Sequence, residues 1–446
     1  MSTTDEFLAP ASGPTAARIE RAVDPIAVAT GLARSGYFAE YVGYERDGAW
    51  VFAAGVQGRV LLDRDELQVE WAGATRTTAW SGRPAQVVGA ALEDLPETDR
   101  HALGWLAFES CAYALGAADR VPGAAVLAHL IVPRVEVRVD DEGVTVLGGD
   151  EDDHAAIRAV LDASDVRAPM PAALDIRSDP SGYRDRVATA IAEIAAGRYQ
   201  KVILSRRVSV PFRLDMPATY RLGRTNNTPA RSFLLRLGTL EAVGFSPELV
   251  AAVDAEGVVT TEPLAGTRAF GRGADEDLAA RRELERDPKE IVEHAISVRT
   301  SVAEVESVAE PGSTAVTEFM EVRERGSVQH LASTVRGLLA RGRSRWDAID
   351  ALFPSVTASG IPKRAGVDAV FRLDGPERGL YAGAVVSVAP DGGVEATLVL
   401  RAVYQQDGAA WLRAGAGVVG QSDPDREFEE TCEKLDSVAP YLVPAD

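Results

Sequence analysis

The sequence predicts an α+β fold dominated by antiparallel β-strands. Short β-rich runs alternate with Gly, Asp and Pro turns over residues 41–71, 135–147, 201–262 and 380–419, a pattern typical of strands joined by tight turns. Between them lie amphipathic helical segments with capping signals, such as the segment that begins at Asp179-Pro180 and ends at Gly197. The two signals together favour a large antiparallel sheet accompanied by separate helices.

Composition and charge restrict the class of function. The 446-residue chain carries 47 basic and 67 acidic side chains, a formal net charge of −20. This balance repels nucleic-acid phosphates and anionic membrane surfaces, so we expect neither as a partner. The two cysteines are too few for a disulfide framework, and the first residues lack a secretory signal pattern. We therefore expect a soluble, cytoplasmic protein.

Three regions are predicted along the chain. Residues 1–20 resemble a flexible tail, residues 21–170 an N-terminal lobe and residues 171–446 the catalytic region. The polar, Pro-containing stretch 164–180 is the predicted linker. After it, the run KVILSRRVSV alternates as a strand, with Lys201 at the strand entrance.

Two helical segments each place a pair of glutamates on one face. At 100° per residue, Glu290 and Glu293 lie beside the apolar stripe of the segment 288–305, which predicts that they border the core. In the segment 425–435, Glu427, Glu430 and Lys434 share one face in the same way. The predicted core stripes consist of Ile291, Ala295, Val298, Val302 and Val305 in the first segment and Phe428, Cys432 and Leu435 in the second.

Four carboxylates on two such faces can be interpreted in two ways. If the faces meet, the charges repel one another, and a hard divalent cation such as Mg²⁺ would neutralise them. The alternative is two ordinary amphipathic helices whose glutamates pair with lysine or water. Acidic helix faces are common, so this pattern alone favours the alternative.

The last β-rich region predicts a second polar cluster. Turns at Pro390-Asp391-Gly392 and Asp407-Gly408 define two hairpins. Their registers place Tyr381 opposite Arg401, and Arg401 opposite Ala414, beside Gly415 and Gly417. A guanidinium, a hydroxyl and accessible backbone N–H groups would form a binding site for a carboxylate. A solvated arginine on an open sheet face is an equally good interpretation of the geometry.

Several stretches of the chain resemble the chorismate-utilising enzyme family, in particular its salicylate synthases of mycobactin-type siderophore pathways. The similar stretches are GRYQKVILSR at 197–206, GFSPELV at 244–250, TEPLAGTRAFGRG at 261–273, KEIVEHAISVR at 289–299, VRERGSVQHLAST at 322–334, TASGIPK at 357–363, RGLYAGAV at 378–385 and LRAGAGVVGQSDPDREFEETCEKL at 412–435. The resemblance covers most of the chain. It implies two large antiparallel β-sheets packed as a sandwich with helices outside, as in anthranilate synthase component I.

The resemblance also implies roles for individual residues. Lys201 corresponds to the base that activates water for attack on C2 of chorismate, and Glu248 to the general acid that protonates the departing C4 hydroxyl. The four positions that match the magnesium site are Glu290, Glu293, Glu427 and Glu430. The positions that match the substrate pocket are Gly266, Thr267, Gly417 and Lys434 for the ring carboxylate, Tyr381, Arg401 and Gly415 for the enolpyruvyl carboxylate, and His330 and Thr357 elsewhere in the pocket.

Lys201 also indicates the chemistry, because family members that use ammonia carry glutamine at this position and members that use water carry lysine. We therefore expect a Mg²⁺-dependent salicylate synthase, which converts chorismate through isochorismate to salicylate and pyruvate. The alternatives are an isochorismate synthase that stops at isochorismate, an anthranilate or aminodeoxychorismate synthase, and a non-catalytic relative that binds such metabolites. We expect no obligatory glutaminase subunit, and we expect a monomer.

Overall fold

The computed structural model describes residues 16–163, 169–325, 328–375 and 377–445. These residues form 21 strands in one hydrogen-bonded network, in which the strands pair in the antiparallel sense. The strands are β1 Ala16–Ile19, β2 Tyr41–Arg46, β3 Ala49–Asp63, β4 Glu66–Trp71, β5 Ala74–Ala79, β6 Ala102–Leu106, β7 Val126–Asp140, β8 Gly143–Gly148, β9 Lys201–Val210, β10 Arg231–Leu237, β11 Leu240–Ser246, β12 Leu249–Val253, β13 Val258–Thr261, β14 Leu264–Ala269, β15 Ala315–Arg325, β16 Val328–Leu338, β17 Gly360–Ile361, β18 Ala384–Val388, β19 Val394–Leu398, β20 Ala402–Gln406 and β21 Ala409–Val418.

Helices accompany the sheet. They are α1 Pro25–Arg34, α2 Pro84–Glu93, α3 Cys111–Ala114, α4 Glu151–Asp162, α5 Tyr183–Ala195, α6 Met216–Thr225, α7 Ala274–Leu284, α8 Pro288–Glu306, α9 Arg345–Leu352, α10 Lys363–Leu373 and α11 Pro424–Leu435. Short 3₁₀ turns occur at Phe108–Ser110, Ala118–Arg120, Val356–Ala358 and Ala439–Tyr441. None of the helices in the described residues is long and apolar enough to cross a membrane.

The strand network has two arms, which the long strands β3 and β7 join. One arm runs β1-β8-β7-β3-β2-β10-β11-β20-β21-β9-β17. The other runs β5-β4-β3-β7-β6-β18-β19-β12-β13-β16, with β14 and β15 also paired to β16. Residues 135–140 of β7 pair with β8 and residues 128–131 pair with β6, so one strand serves both arms. The predicted α+β class is confirmed, with the two sheets continuous through these strands.

The first strand and the helix after the linker begin at residues other than those that the sequence predicts. Residues 1–15 of the expected tail lie outside the described residues, whereas Ala16–Ile19 forms β1 and pairs with β8. The predicted lobe and catalytic region share sheet pairings, such as β2 with β10 and β6 with β18. The helix after the linker begins at Tyr183, because Asp179 accepts hydrogen bonds from the backbone of Tyr183 and Arg184 rather than from the first residues after Pro180.

Helix α8 buries Val298 and Val305 of the predicted core stripe, but the centre of its buried face differs from the predicted one. Its buried residues include His294, Ser297 and Ser301, whereas Ile291, Ala295 and Val302 of the predicted core stripe are only partly buried. The buried face is therefore rotated toward the glutamate side. In α11 the predicted stripe of Phe428, Cys432 and Leu435 is buried, and Glu427 is buried beside it.

Both predicted hairpin registers are correct at the strands, since Ala384 pairs with Leu398 and Val403 with Leu412. The strands nevertheless end short of Tyr381 and Arg401, so these two residues do not form the predicted ladder pair. Arg401 has a φ of +49°, a left-handed conformation that interrupts the strand at that position.

Candidate active site

A cavity of about 520 Å³ lies between the two arms of the strand network, with α8 and α11 on its walls. It collects most of the sequence-predicted site residues, although they come from widely separated elements. The predicted residues that line it are Lys201, Glu248, Gly266, Thr267, Glu290, Glu293, His330, Thr357, Tyr381, Arg401, Gly415, Gly417, Glu430 and Lys434. Glu427 does not line the cavity but lies three residues before Glu430 on α11.

Glu248 follows the bend between β11 and β12 and is 3% exposed. Ser355 Oγ and Thr357 Oγ1 each donate a hydrogen bond to Glu248 Oε1 at 2.6 Å. Burial raises the pKa of the Glu248 carboxyl to about 7, while the two hydroxyl hydrogen bonds act in the opposite direction. The carboxyl can therefore keep a proton near neutral pH, as a general acid must.

Lys201 is the first residue of β9 and is buried at the cavity wall. Its Nζ lies 3.3 Å from Glu293 Oε2. A Cβ added to Gly417 on the neighbouring strand β21 would lie 2.9 Å from Lys201 Cε. The glycine therefore leaves the space through which the lysine side chain passes.

The four predicted metal ligands are divided between the starts of α8 and α11. In both helices an Asp-Pro pair fixes the N-terminus, because Asp287 and Asp423 accept hydrogen bonds from the first backbone N–H groups. Three of the four glutamates are paired with cations. The pairs are Glu290 with Arg268 at 3.3 Å, Glu293 with Lys201 at 3.3 Å and Glu430 with Lys434 at 2.7 Å.

Glu427 differs from the other three, because neither of its carboxylate oxygens has a hydrogen-bond partner among the described residues. Its side chain is 1% exposed, and burial raises its pKa to about 7. Glu293 Oε1 also lacks a hydrogen-bond partner within the described part of the chain. Buried carboxylate oxygens without partners are costly, and a bound cation would offset that cost.

The carboxylate oxygens of the four glutamates suit a hard cation, although their side chains are not already arranged around one point. Over the described ranges, no three His, Cys, Asp or Glu side chains converge closely enough to hold a metal ion. Glu290, Glu293, Glu427 and Glu430 supply only oxygen atoms, which Mg²⁺ prefers. These residues fit a Mg²⁺ ion if their carboxylates turn away from the cations that now hold them.

Arg401 is half-buried, and no carboxylate lies within ion-pair distance of it in the described residues. Burial lowers its pKa to about 10, and the neighbouring Arg325 adds to the effect. Its Nη2 donates to His330 Nε2 at 2.5 Å. A half-buried guanidinium without a carboxylate partner has the charge and geometry to bind a ligand carboxylate.

His330 has both ring nitrogens engaged. Its Nδ1 lies 2.9 Å from the carbonyl oxygen of Gly266, which can only accept, and its Nε2 faces the Arg401 guanidinium, which can only donate. The partners therefore require a neutral ring with the proton on Nδ1. Burial lowers the pKa of His330 well below its ordinary value, and Arg401 acts in the same direction.

Tyr381, Gly415 and Lys434 form the wall beside Arg401. A Cβ on Gly415 would lie 2.9 Å from Tyr381 Oη and 2.4 Å from the carbonyl oxygen of Leu204, so only glycine fits there. Lys434 Nζ donates to the Gly415 carbonyl oxygen at 2.9 Å and to Glu430 Oε1 at 2.7 Å. Lys434 thus links the glycine strand to the glutamates of α11.

Sequence reasoning missed three polar residues at this site. Ser355, which donates to Glu248, lies two residues before the stretch that carries the family resemblance. Arg268 and Lys289 lie inside similar stretches and line the cavity. Their positions beside the glutamates depend on how β14 and α8 pack together, which no local sequence pattern shows.

Comparison with known proteins gives a consistent result. Residues 40–440 match the family described as chorismate binding enzyme. The chain is 55% identical, over 94% of each chain, to a salicylate synthase of Mycolicibacterium paratuberculosis. It is 42% identical, over 56% of its length, to an anthranilate synthase component 1 of Streptomyces coelicolor, of which it covers 49%.

Solved structures agree on the fold. The menaquinone-specific isochorismate synthase of Escherichia coli matches with a TM-score of 0.74 at 18% identity, over 98% of this chain and 96% of that one. The anthranilate synthase component I of Streptococcus pneumoniae matches with a TM-score of 0.72 at 23% identity, over 88% of this chain and 92% of that one. The family resemblance that the sequence motifs predict is confirmed.

Proposed function

Because the chain belongs to the chorismate-binding enzyme family, we propose that it is a salicylate synthase, which converts chorismate through isochorismate to salicylate and pyruvate. The observation that carries this proposal is the 55% identity to a salicylate synthase over 94% of both chains. The presence of lysine at position 201 supports water, rather than ammonia, as the nucleophile.

In the proposed first step, water attacks C2 of chorismate, the ring double bonds shift, and the bond between C4 and its hydroxyl breaks. Lys201 takes the proton that the attacking water loses, and Glu248 gives a proton to the departing hydroxide. One water enters and one leaves, so isochorismate is an isomer of chorismate. The raised pKa of Glu248, about 7, supports the acid role.

The base role of Lys201 requires an amine that can accept a proton from water, whereas its Nζ lies 3.3 Å from Glu293 Oε2 in an ion pair. Glu293 must therefore be engaged elsewhere while Lys201 acts. A cation held by the glutamates of α8 and α11 would engage it. This requirement connects the base on β9 with the proposed metal ligands.

The two carboxylates of the substrate would be held by two neighbouring groups of residues in the cavity. Arg401, with Tyr381 and the backbone of Gly415, would hold the enolpyruvyl carboxylate. Mg²⁺ bound by Glu290, Glu293, Glu427 and Glu430 would supply positive charge for the ring carboxylate. Gly266, Thr267, Gly417 and Lys434 would complete this part of the pocket.

In the proposed second step, the hydrogen on C2 of isochorismate moves to the methylene carbon of the enolpyruvyl group while the bond between C3 and the ether oxygen breaks. Pyruvate leaves and the ring becomes aromatic as salicylate. The transfer is internal, so the site needs to hold a reactive conformer rather than supply a base. The two nitrogens of His330 are both occupied by protein partners, which is consistent with this assignment.

We further propose a monomeric, cytoplasmic enzyme that needs no glutaminase subunit, with salicylate supplied to siderophore assembly. These finer statements follow from the resemblance to salicylate synthases. They are separate from the reaction itself, which can be tested on the purified chain.

The test is product analysis with purified protein, chorismate and Mg²⁺, separated by liquid chromatography. We expect equal amounts of salicylate and pyruvate, and no anthranilate when ammonium is added. Accumulation of isochorismate without salicylate would make the chain an isochorismate synthase. Unchanged chorismate would contradict an enzymatic role.

A further inference from the structure

Lys289 occupies an unusual position at the start of α8. It is the second residue of the helix, directly before Glu290, and it lines the cavity together with Glu290, Glu293 and Glu430. Its Nζ lies 3.8 Å from Glu293 Oε1, the carboxylate oxygen that has no hydrogen-bond partner in the described residues. The other cations at the site hold different oxygens, so Lys289 faces the part of the cluster that is least neutralised.

The ammonium group of Lys289 interacts electrostatically with all four glutamates. Burial lowers the pKa of the Lys289 ammonium, but attraction to Glu293, Glu427, Glu290 and Glu430 outweighs burial and raises it above its ordinary value. Three other cations pair with single members of this set. Within ion-pair distance Lys289 meets Glu293 alone, as each of the other three cations meets one glutamate, and its charge acts on the other three glutamates from further away.

The Lys289 side chain can also move out of the cavity into solvent. Its side chain is 47% exposed, compared with 10% for Lys201 and 18% for Arg268. A long, flexible ammonium at the cavity edge can move into solvent at small cost, since exposed ion pairs contribute little. A cation that neutralises the glutamates without being locked in place is suited to be exchanged for another cation.

We propose that Lys289 is the resident counter-ion of the four glutamates and competes with the divalent cation for them. The inference rests on the proposed function, because the cation is the Mg²⁺ assigned above. When Lys289 lies near Glu293 the cluster is neutralised without metal, and metal binding displaces the ammonium. Lys289 thus sets the affinity for Mg²⁺ without being a ligand.

The test is calorimetric titration of Mg²⁺ into the metal-free full chain, without chorismate and at fixed ionic strength. Lys289→Met keeps most of the stem and removes the charge. Arg299→Met is the matched control, because Arg299 is an exposed cation ten residues further along the same helix. We expect Lys289→Met to bind Mg²⁺ roughly three- to tenfold more tightly than the wild type, and Arg299→Met to differ by less than about twofold.

Thermal unfolding of the metal-free variants gives a second readout. Without Lys289 the glutamates repel one another more strongly, so metal-free Lys289→Met should melt below the wild type, and saturating Mg²⁺ should remove the difference. Unchanged or weaker Mg²⁺ binding in Lys289→Met would overturn the inference. If the wild type binds no Mg²⁺, the proposed metal site fails, and an unchanged melting temperature of metal-free Lys289→Met would then refute the counter-ion role separately.

Discussion

At the scale of single residues, Glu248 is defined by two opposing influences. Burial favours its neutral form, and the hydroxyls of Ser355 and Thr357 favour its charged form. With a pKa of about 7, the carboxyl carries its proton below neutral pH and loses it as the pH rises. The hydration of chorismate should therefore slow on the alkaline side of about pH 7.

Ser355→Ala tests this balance, because it removes a hydrogen bond that stabilises the carboxylate. The pKa of Glu248 should rise, and the alkaline limb of kcat/KM for isochorismate formation should move to higher pH. Thr357→Ser is the control that keeps its hydroxyl and should leave the limb in place. An unchanged limb in Ser355→Ala, or a shift to lower pH, would show that another group controls it.

Lys201 permits a test that separates the two proposed steps. Lys201→Ala should reduce conversion of chorismate to isochorismate by roughly 10²- to 10⁴-fold, the usual effect of removing a general base. Elimination of pyruvate from supplied isochorismate should be partly retained, because that step needs no base. Each rate can be followed by product formation, and equal loss of both activities would argue against a base confined to the first step.

At the scale of elements, the pairing of β21 with β9 decides where Lys201, the proposed base, can lie. Gly415 and Gly417 both face β9 closely, but they contact different groups. An alanine Cβ at 417 would meet the flexible end of Lys201 at 2.9 Å, whereas one at 415 would meet the backbone oxygen of Leu204 at 2.4 Å. Side-chain ends can move at little cost, whereas paired backbone cannot.

These two glycines form a matched pair for mutagenesis. Gly417→Ala should retain a melting temperature close to that of the wild type but lose most chorismate hydration, because Lys201 is displaced. Gly415→Ala should lower the melting temperature by several degrees, since overpacking typically costs about 1–3 kcal/mol. Differential scanning calorimetry and the hydration assay check the two variants. Activity of Gly417→Ala equal to that of the wild type would contradict the displacement of Lys201.

The C-terminal hairpins and helix α8 show which structural features can be predicted from local sequence. Turn residues fixed both C-terminal hairpin registers, because Ala384 and Val403 pair as the turn positions require. The interruption at Arg401 was not predictable, since its left-handed φ is unusual for a non-glycine residue. The buried face of α8 was predicted only in part, at Val298 and Val305, because Ser297 and Ser301 are small enough to pack inside although they are polar.

At the scale of the whole molecule, the active cavity depends on both halves of the chain. Strand β6 pairs with β18, and β2 with β10, so the N-terminal strands support the strands that carry site residues. Motif residues such as Lys201, Glu248 and Glu430 could be predicted from the resemblance. Their convergence in one cavity, and the roles of Lys289 and Ser355 beside them, depend on pairings between distant strands that no local pattern specifies.

Mg²⁺ bound as proposed should stabilise the folded protein, because a ligand that binds only the native state shifts the folding equilibrium toward it. We expect saturating Mg²⁺ to raise the melting temperature by a few degrees relative to EDTA-treated protein, and EDTA to abolish turnover. Glu430→Gln should remove the Mg²⁺-dependent shift. Glu429→Gln is the adjacent control, since Glu429 pairs with Arg177 at 2.8 Å outside the cavity, and loss of the shift in this control would contradict the assigned site.

Turnover of chorismate in water enriched in ¹⁸O tests the proposed reaction most directly. In the proposed sequence the oxygen that attacks C2 becomes the phenolic oxygen of salicylate, while the C4 oxygen of chorismate is released as water. Mass spectrometry should therefore find one ¹⁸O atom in the hydroxyl group of each salicylate formed with Mg²⁺ present. Unlabelled salicylate, or an amino-substituted product in its place, would contradict attack by water at C2 and with it the assignment of Lys201 and Glu248.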